Sequence, residues 1–65
     1  MSKEDDVVVT VVLTPMQAFQ FAQFLKRSTF NQYLENATSE DEAYVQIEAG
    51  NRIRQALAEK GYAPR

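Results

Sequence analysis

The chain of 65 residues contains no cysteine, no histidine and no tryptophan, and it has only two glycines and two prolines. Without cysteine it can form neither a disulfide nor a thiolate metal site. The missing histidine removes the commonest metal ligand and the commonest general base at neutral pH. Gly50 and Gly61 stand alone, so the chain has no glycine-rich loop for phosphate. We therefore expect a protein that is not an enzyme and that holds no metal or cofactor.

An excess of basic residues is also missing: the chain has seven Lys and Arg against nine Asp and Glu, and the formal net charge is -2. Proteins that bind nucleic acid by neutralising phosphates carry a basic patch or stripe, so we expect no direct contact with nucleic acid. The charge is unevenly placed, because residues 1–42 hold seven acids and three bases, whereas residues 43–65 hold two acids and four bases. The length predicts a single domain that covers residues 1–65.

Long hydrophobic runs are missing as well. The longest, Val7–Leu13, has seven residues and includes Thr10, whereas a membrane-spanning helix needs about 20 apolar residues. The preceding "MSKEDD" is acidic and lacks the basic start of a secretory signal. These features predict a cytoplasmic protein with no membrane partner, in which residues 1–6 form a mobile tail.

The apolar run "VVVTVVL", residues 7–13, is composed of residue types that favour β-structure and is predicted to be a strand. Apolar side chains occur on both of its faces, so both faces should be covered. The chain has no second segment of comparable strand character that could pair with it. Either two copies pair this segment across a twofold axis, or one of the chain ends supplies a partner within the monomer.

The first predicted helix begins at Thr14 and Pro15 and covers about residues 15–27. Thr14 is a favourable N-cap, Pro15 suits the first helical position, and Gln17 completes a Thr-x-x-Gln capping box. Four residues share one face at the spacing of a helix that packs on a core. They are Ala18, Phe21, Ala22 and Leu25.

A short second helix is predicted over about residues 29–36, with Ser28 as its cap. A long third helix is predicted over about residues 40–60, where Ser39 and Glu42 form a capping box and Gly61 ends the helix. Its inward stripe recurs at steps of four, three, three and four. The stripe is Ala43, Ile47, Gly50, Ile53 and Leu57.

Glycine inside this stripe costs roughly 1 kcal/mol relative to alanine, so we expect another element to approach Gly50 closely. The predicted order of elements is strand, helix, short helix and long helix (βααα). We expect an α+β fold in which the helices pack on a small, single-layer sheet. A domain of this length buries only about 60% of the surface of its unfolded chain, so its stability should be marginal.

The acids at the start of the third helix have two interpretations. Glu40, Asp41 and Glu42 are favoured there by the helix dipole and by capping, without any partner. Helical projection, however, places Asp41, Tyr44, Glu48 and Glu59 opposite the inward stripe. An aromatic side chain exposed among carboxylates is typical of an interface. Packing of Tyr44 against another helix is the competing interpretation. The candidate partner-binding residues are Glu35, Glu40, Asp41, Glu42, Tyr44 and Glu48.

Three segments together, "LTPMQAFQFAQFLKR", "DEAY" and "ALAEKGYAPR", resemble a known group of small proteins. The group is the type I-C anti-CRISPR proteins, which are encoded by phages or other mobile elements of Pseudomonas and its relatives. The resemblance extends over the chain from Val7 to Arg65 and rests on overall pattern. It transfers no functional residue, and the candidate residues above come only from charge and helical projection.

This resemblance implies an inhibitor in the host bacterial cytosol that binds the type I-C CRISPR surveillance complex and blocks its binding to target DNA. An acidic, DNA-mimicking surface would be directed at the large subunit that reads the protospacer-adjacent motif. The alternative hypothesis is a structural or regulatory adaptor, not an enzyme, that homodimerises through the N-terminal strand. The protein is accordingly expected to be either a monomer or a strand-paired homodimer.

Overall fold

The computed structural model describes residues 6–63, and within this range the chain forms three α-helices. They are Pro15–Arg27 (α1), Phe30–Glu35 (α2) and Glu40–Glu59 (α3). Residues 6–63 include no strand and no sheet. The predicted α+β (βααα) fold is therefore wrong, and the protein is all-helical. The predicted mobile tail lies outside the described residues, except for the exposed Asp6.

The segment Val7–Leu13 has the composition of a strand but forms no regular secondary structure, and every residue in it is exposed. Within residues 6–63, backbone hydrogen bonds join the helices, their caps and their turns, and none of them involves this segment. A strand exists only when a neighbouring strand satisfies its backbone donors and acceptors. The described part of the chain offers no such neighbour, which explains why the strand prediction fails.

Helix α1 begins as predicted. The Thr14 side chain accepts a hydrogen bond from the backbone N–H of Gln17 at 3.1 Å, and Gln17 Oε1 accepts one from the Thr14 N–H at 2.9 Å. The helix ends at Ser28, whose hydroxyl donates to the Phe24 carbonyl at 2.7 Å. Ser28 therefore closes α1 and does not cap α2, contrary to prediction.

Thr29 caps α2 instead. Its hydroxyl accepts from the Gln32 N–H at 3.3 Å, and Gln32 Oε1 accepts from the Thr29 N–H at 2.8 Å, which completes a second capping box. Two residues that both favour N-cap positions stand side by side here, and only Thr29 has a glutamine or glutamate three residues later. That glutamine places the start of the helix one residue beyond the predicted cap.

Helix α3 starts with half of the predicted capping box and ends in a complete Schellman motif. Ser39 Oγ accepts from the Glu42 N–H at 3.2 Å. At the other end Gly61 has φ 97°. The N–H of Gly61 donates to the Ala58 carbonyl and the N–H of Tyr62 donates to the Leu57 carbonyl, both at 2.9 Å. These two hydrogen bonds satisfy carbonyls of the last turn that have no partner within the helix, as the position of Gly61 in the sequence predicts.

Helices α1 and α2 both pack on α3, and they meet at Gly50. The Tyr33 hydroxyl lies where a side chain on Gly50 would begin, and Leu25 Cδ2 is 3.7 Å from the same point. The predicted close approach at Gly50 is confirmed. Within the described range, the apolar side chains that are buried consist of Leu25 and three alanines, Ala18, Ala22 and Ala43.

Two residues predicted to face the core do not. Phe21 of α1 and Ile53 of α3 are both exposed, at 41% and 45%. Periodicity identifies which residues share an apolar face, but a face is buried only where another element covers it. Three helices with so small a core leave parts of these faces uncovered.

Candidate protein-interaction surfaces

The six residues predicted to bind a partner are all exposed, and five of them belong to α3. Glu35 is the last residue of α2, so the loop 36–39 separates it from the others along the chain. Asp41, Tyr44 and Glu48 are three and four residues apart, which places them side by side on α3. We call these three residues the acidic row. Arg52 follows Glu48 by four residues, so the row meets a positive charge at its C-terminal end.

Glu42 has a structural role at the start of α3. Its carboxylate accepts hydrogen bonds from both the backbone N–H and the hydroxyl of Thr38, each at 3.0 Å. The Gln46 side-chain amide donates to the same carboxylate at 3.5 Å. In the predicted capping box the Glu42 carboxylate would accept from the backbone N–H of Ser39, which is one residue after Thr38. The loop therefore occupies much of the acceptor capacity of this carboxylate, and Glu42 is not part of the acidic row.

Tyr44 fits both interpretations proposed for it. Its ring contacts Phe30 of α2, with ring centroids 5.3 Å apart and the planes tilted by 39°. The side chain is nevertheless 59% exposed. Aromatic pairs at such distances are favourable, so this contact helps to hold α2 against α3. It also fixes the orientation of an aromatic ring that lies between two exposed carboxylates.

A second surface was not among the candidate binding residues, and it is apolar. It is the segment Val7–Leu13, which we call the N-terminal apolar segment. Helix α1, which follows it in sequence, also exposes large apolar side chains, and two of them, Phe21 and Phe24, stack on each other with centroids 5.7 Å apart and planes at 11°. The exposed large apolar side chains of α1 are Met16, Phe19, Phe21 and Phe24.

The accessible surface of the protein is large for its mass. The chain of 7.4 kDa exposes 5492 Å², whereas a compact monomer of that mass is expected to expose about 4,200 Å². The exposed segment Val7–Leu13 contributes to this difference.

Helix α3 carries a third surface, an outer apolar stripe that sequence reasoning missed. Val45, Ala49, Ile53 and Ala56 follow one another at steps of four, four and three, and all are exposed. The same periodicity that revealed the inward stripe could have revealed this one. Its apolar area is small, because two of its four residues are alanines.

A groove of about 280 Å³ lies between α1 and the C-terminal part of α3. Its polar lining residues are Asn51, Arg54, Gln55 and Tyr62, and it contains no carboxylate that could pair with another for acid–base chemistry. Across residues 6–63, no three acidic side chains come close enough to hold a metal ion. None of the three helices is long and apolar enough to cross a membrane.

Over its full length, residues 1–65, the chain matches a family of unknown function, DUF7706, and it belongs to that family. No curated protein matches the chain, and no solved structure matches it. The description of the family names no activity, ligand or partner. The surfaces described above are therefore the features of the protein that bear on its function.

Proposed function

We propose that this member of the DUF7706 family is a structural or regulatory adaptor, not an enzyme, that self-associates through Val7–Leu13. One observation carries the proposal: seven consecutive residues without a charge, five of them valines, are exposed and make no backbone hydrogen bond within residues 6–63. Burying a valine contributes about 1.5–3 kcal/mol relative to leaving it exposed. The segment therefore gains from any contact that covers it and pairs its backbone.

A second copy satisfies both requirements of the segment. An identical segment supplies the backbone donors and acceptors that residues 6–63 do not provide. Because the segment has no charge, two copies do not repel each other where they meet.

Sedimentation equilibrium over a wide range of protein concentrations tests this proposal. We expect the wild-type chain to be dimeric and Val11→Lys to be monomeric, because lysine would place a charge in the interface. Val45→Lys is a matched control, since Val45 is 65% exposed and Val11 is 64% exposed. If Val45→Lys disrupts the dimer and Val11→Lys does not, α3 forms the interface. A wild-type chain that stays monomeric at high concentration rejects self-association.

A second candidate function is inhibition of the type I-C surveillance complex, which the sequence resemblance implies. The exposure of Asp41, Tyr44 and Glu48 favours it, since these side chains are available to a basic partner. The two carboxylates are seven residues apart, or about 10.5 Å along the helix. Duplex DNA carries one charge per about 1.7 Å of its axis, so a single acidic row imitates only a short stretch of that field. The net charge of -2 likewise requires specific contacts in addition to bulk charge.

The test of this second function is competition between the protein and labelled target DNA for a purified type I-C complex. We expect the wild-type chain to prevent DNA binding, and the double variant Asp41→Lys/Glu48→Lys to fail. Asp6→Lys is the control, because Asp6 is exposed but lies outside the acidic row. Absence of binding to any subunit rejects the inhibitor. Full inhibition by the double variant would keep the inhibitor but reject the acidic row as its binding surface.

A further inference from the structure

We infer that the groove between α1 and the C-terminal part of α3 binds a small organic carboxylate, and that the Arg54 guanidinium recognises its charge. This site goes beyond the proposed self-association, because no residue of Val7–Leu13 lines the groove. Three observations carry the inference. They are the shape of the groove, the charge of its lining and the polar side chains that the fold leaves available there.

The groove is open because the apolar residues that line it are small. They are Ala22 of α1, which is buried, and the exposed Ala58 and Ala63. Each contributes only a methyl group, so about 280 Å³ stays unfilled between the two helices. This volume is close to the lower end of the range for ligand pockets, about 300–1,000 Å³. The occupant is therefore small, about the size of one ring with a polar substituent.

The turn that ends α3 supplies one wall of the groove. Gly61 reverses the chain with φ 97°, and the Tyr62 N–H then donates to the Leu57 carbonyl at 2.9 Å. This hydrogen bond holds Tyr62 and Ala63 beside the last turns of α3, where both line the groove. Tyr62 is half-buried. The turn therefore adds an aromatic ring and a hydroxyl to the site.

The lining carries a single charge, and that charge is positive. Arg54 is the one charged residue among those that line the groove, and none of them is a carboxylate. Asn51 precedes Arg54 by three residues and Gln55 by four, so the three side chains are neighbours on one face of α3. An anion in the groove meets a guanidinium and two amide groups that can donate hydrogen bonds, and no negative charge of the protein opposes it there.

These polar side chains are not engaged elsewhere in the part of the chain that the structure describes. Within residues 6–63, none of the side-chain hydrogen bonds uses Asn51, Arg54, Gln55 or Tyr62. The guanidinium group presents its N–H donors in a fixed fork that matches the two oxygens of a carboxylate. A carboxylate carries one negative charge, which one arginine balances, whereas a phosphate group carries about two. A carboxylate is therefore the better match.

NMR of an isotope-labelled chain tests the site, with benzoate as the probe and the ionic strength held constant. We expect saturable shifts of the amide signals of Asn51, Gly61 and Tyr62, which lie in the groove or in the turn beside it. Benzamide is the matched neutral probe, because it has the same ring and nearly the same shape. Hydrogen bonds to an ionised group are about twice as strong as neutral ones, so benzoate should bind roughly 10-fold more tightly than benzamide.

Two arginine variants assign this preference to the groove. Arg54→Gln removes the charge and should bind benzoate and benzamide equally. Arg52→Gln changes the net charge by the same amount, but Arg52 is exposed on α3 and does not line the groove, so this variant should keep the preference. N-Acetylphenylalanine, which ends like a peptide, distinguishes two sources of the carboxylate. Tighter binding than benzoate assigns the site to a peptide C-terminus, and weaker binding assigns it to a free small acid.

Three results would overturn the inference. The first is a benzoate titration that does not saturate, and the second is equal affinity of the wild-type chain for benzoate and benzamide. The third is an equal loss of preference in both arginine variants, which would mean that net charge and not the groove attracts the probe. None of these results affects the sedimentation of the wild-type chain, so failure of this site and failure of self-association are separate findings.

Discussion

The three helices and the segment Val7–Leu13 differ in where their backbone partners are located. In the helices, each partner lies within a few residues along the chain, and the ends are closed by neighbours such as Thr14, Thr29 and Gly61. The segment has equally strong local preferences, yet the described part of its own chain provides no partner for it. Local preference is sufficient for a helix because a helix supplies its own hydrogen bonds, and it is insufficient for a strand.

The helices and the segment also differ in the burial of their apolar side chains. Within residues 6–63 the helices bury a core of one leucine and three alanines, while the segment and the other large apolar residues of α1 remain exposed. A core of small residues lets helices approach closely but removes little apolar area from water. The helical part is therefore formed by local bonds and close packing, whereas the segment leaves seven uncharged residues in water.

Lysine in the segment and lysine on α3 should give the largest difference. Val11→Lys removes an apolar side chain of the segment from each copy, at about 1.5–3 kcal/mol per valine, so the dimer loses about twice that. Val45→Lys replaces a comparably exposed valine of α3 and should leave the dimer intact. Thermal denaturation at several protein concentrations measures this, because the Tm of a dimer rises with concentration.

We expect the Tm of the wild-type chain and of Val45→Lys to rise with concentration, and that of Val11→Lys to stay constant. Equal loss of the concentration dependence in both variants would mean that the segment and α3 are both buried in the dimer. A constant Tm for the wild-type chain would contradict self-association directly.

Gly50 tests the close packing of the helical part. An alanine there gains roughly 1 kcal/mol of helix propensity but meets the Tyr33 hydroxyl, and overpacking typically costs 1–3 kcal/mol. We expect Gly50→Ala to lower the free energy of unfolding by about 1 kcal/mol, as the difference of these two effects. In a Tyr33→Phe background the obstructing oxygen is absent, so the same substitution should be neutral or stabilising.

A double-mutant cycle by urea denaturation at one protein concentration measures this coupling. If Gly50→Ala stabilises the wild-type chain, Tyr33 can move aside without loss, and the contact with Gly50 is not a constraint on how α2 packs.

The sequence predicted the helical part well because its determinants are local. The Thr14 and Gln17 pair gave the start of α1, and Gly61 gave the end of α3. The cap of α2 was misplaced by one residue, since Ser28 and Thr29 are both suitable and the glutamine at position 32 decides between them. The strand prediction for Val7–Leu13 was wrong for a non-local reason. Composition indicates a preference for β-structure but does not show whether a partner strand is present.

The candidate binding residues were predicted to be exposed, and they are. Sequence reasoning could not show that Thr38 occupies the carboxylate of Glu42, because that contact depends on the path of the loop. It also placed Phe21 and Ile53 in the core, since periodicity identifies a face without showing what covers it. No pattern in the chain names a partner, so what these surfaces bind stays a proposal.

Substitutions of Gly61 test whether the turn at the C-terminal end of α3 stabilises the helix. Its φ of 97° lies in the region that other residues rarely adopt. Gly61→Ala should lower the free energy of unfolding by about 1–2 kcal/mol, and Gly61→Asn by less, because asparagine tolerates this region better. Ala56→Gly is a useful comparison, since it lowers helix propensity nearby at an exposed residue that takes no part in the motif. A neutral Gly61→Ala would mean that the Schellman motif contributes nothing to stability.

The smallest expected difference in stability is between Glu42, whose carboxylate is bonded to the loop before α3, and Asp41 of the acidic row. Glu42→Gln and Asp41→Asn each remove one negative charge near the helix start, where a charge contributes about 0.3–1 kcal/mol. Because only Glu42 accepts two hydrogen bonds from Thr38, Glu42→Gln should destabilise the protein more, by about 0.5–1 kcal/mol beyond Asp41→Asn. Urea denaturation with Thr38→Ala as a third variant isolates the share of the hydroxyl, since that variant keeps the backbone N–H donor and Glu42→Gln should then cost less by the hydrogen bond to the hydroxyl. Equal losses for Glu42→Gln and Asp41→Asn would assign both acids to the helix dipole alone and would return Glu42 to the residues that are free to meet a partner.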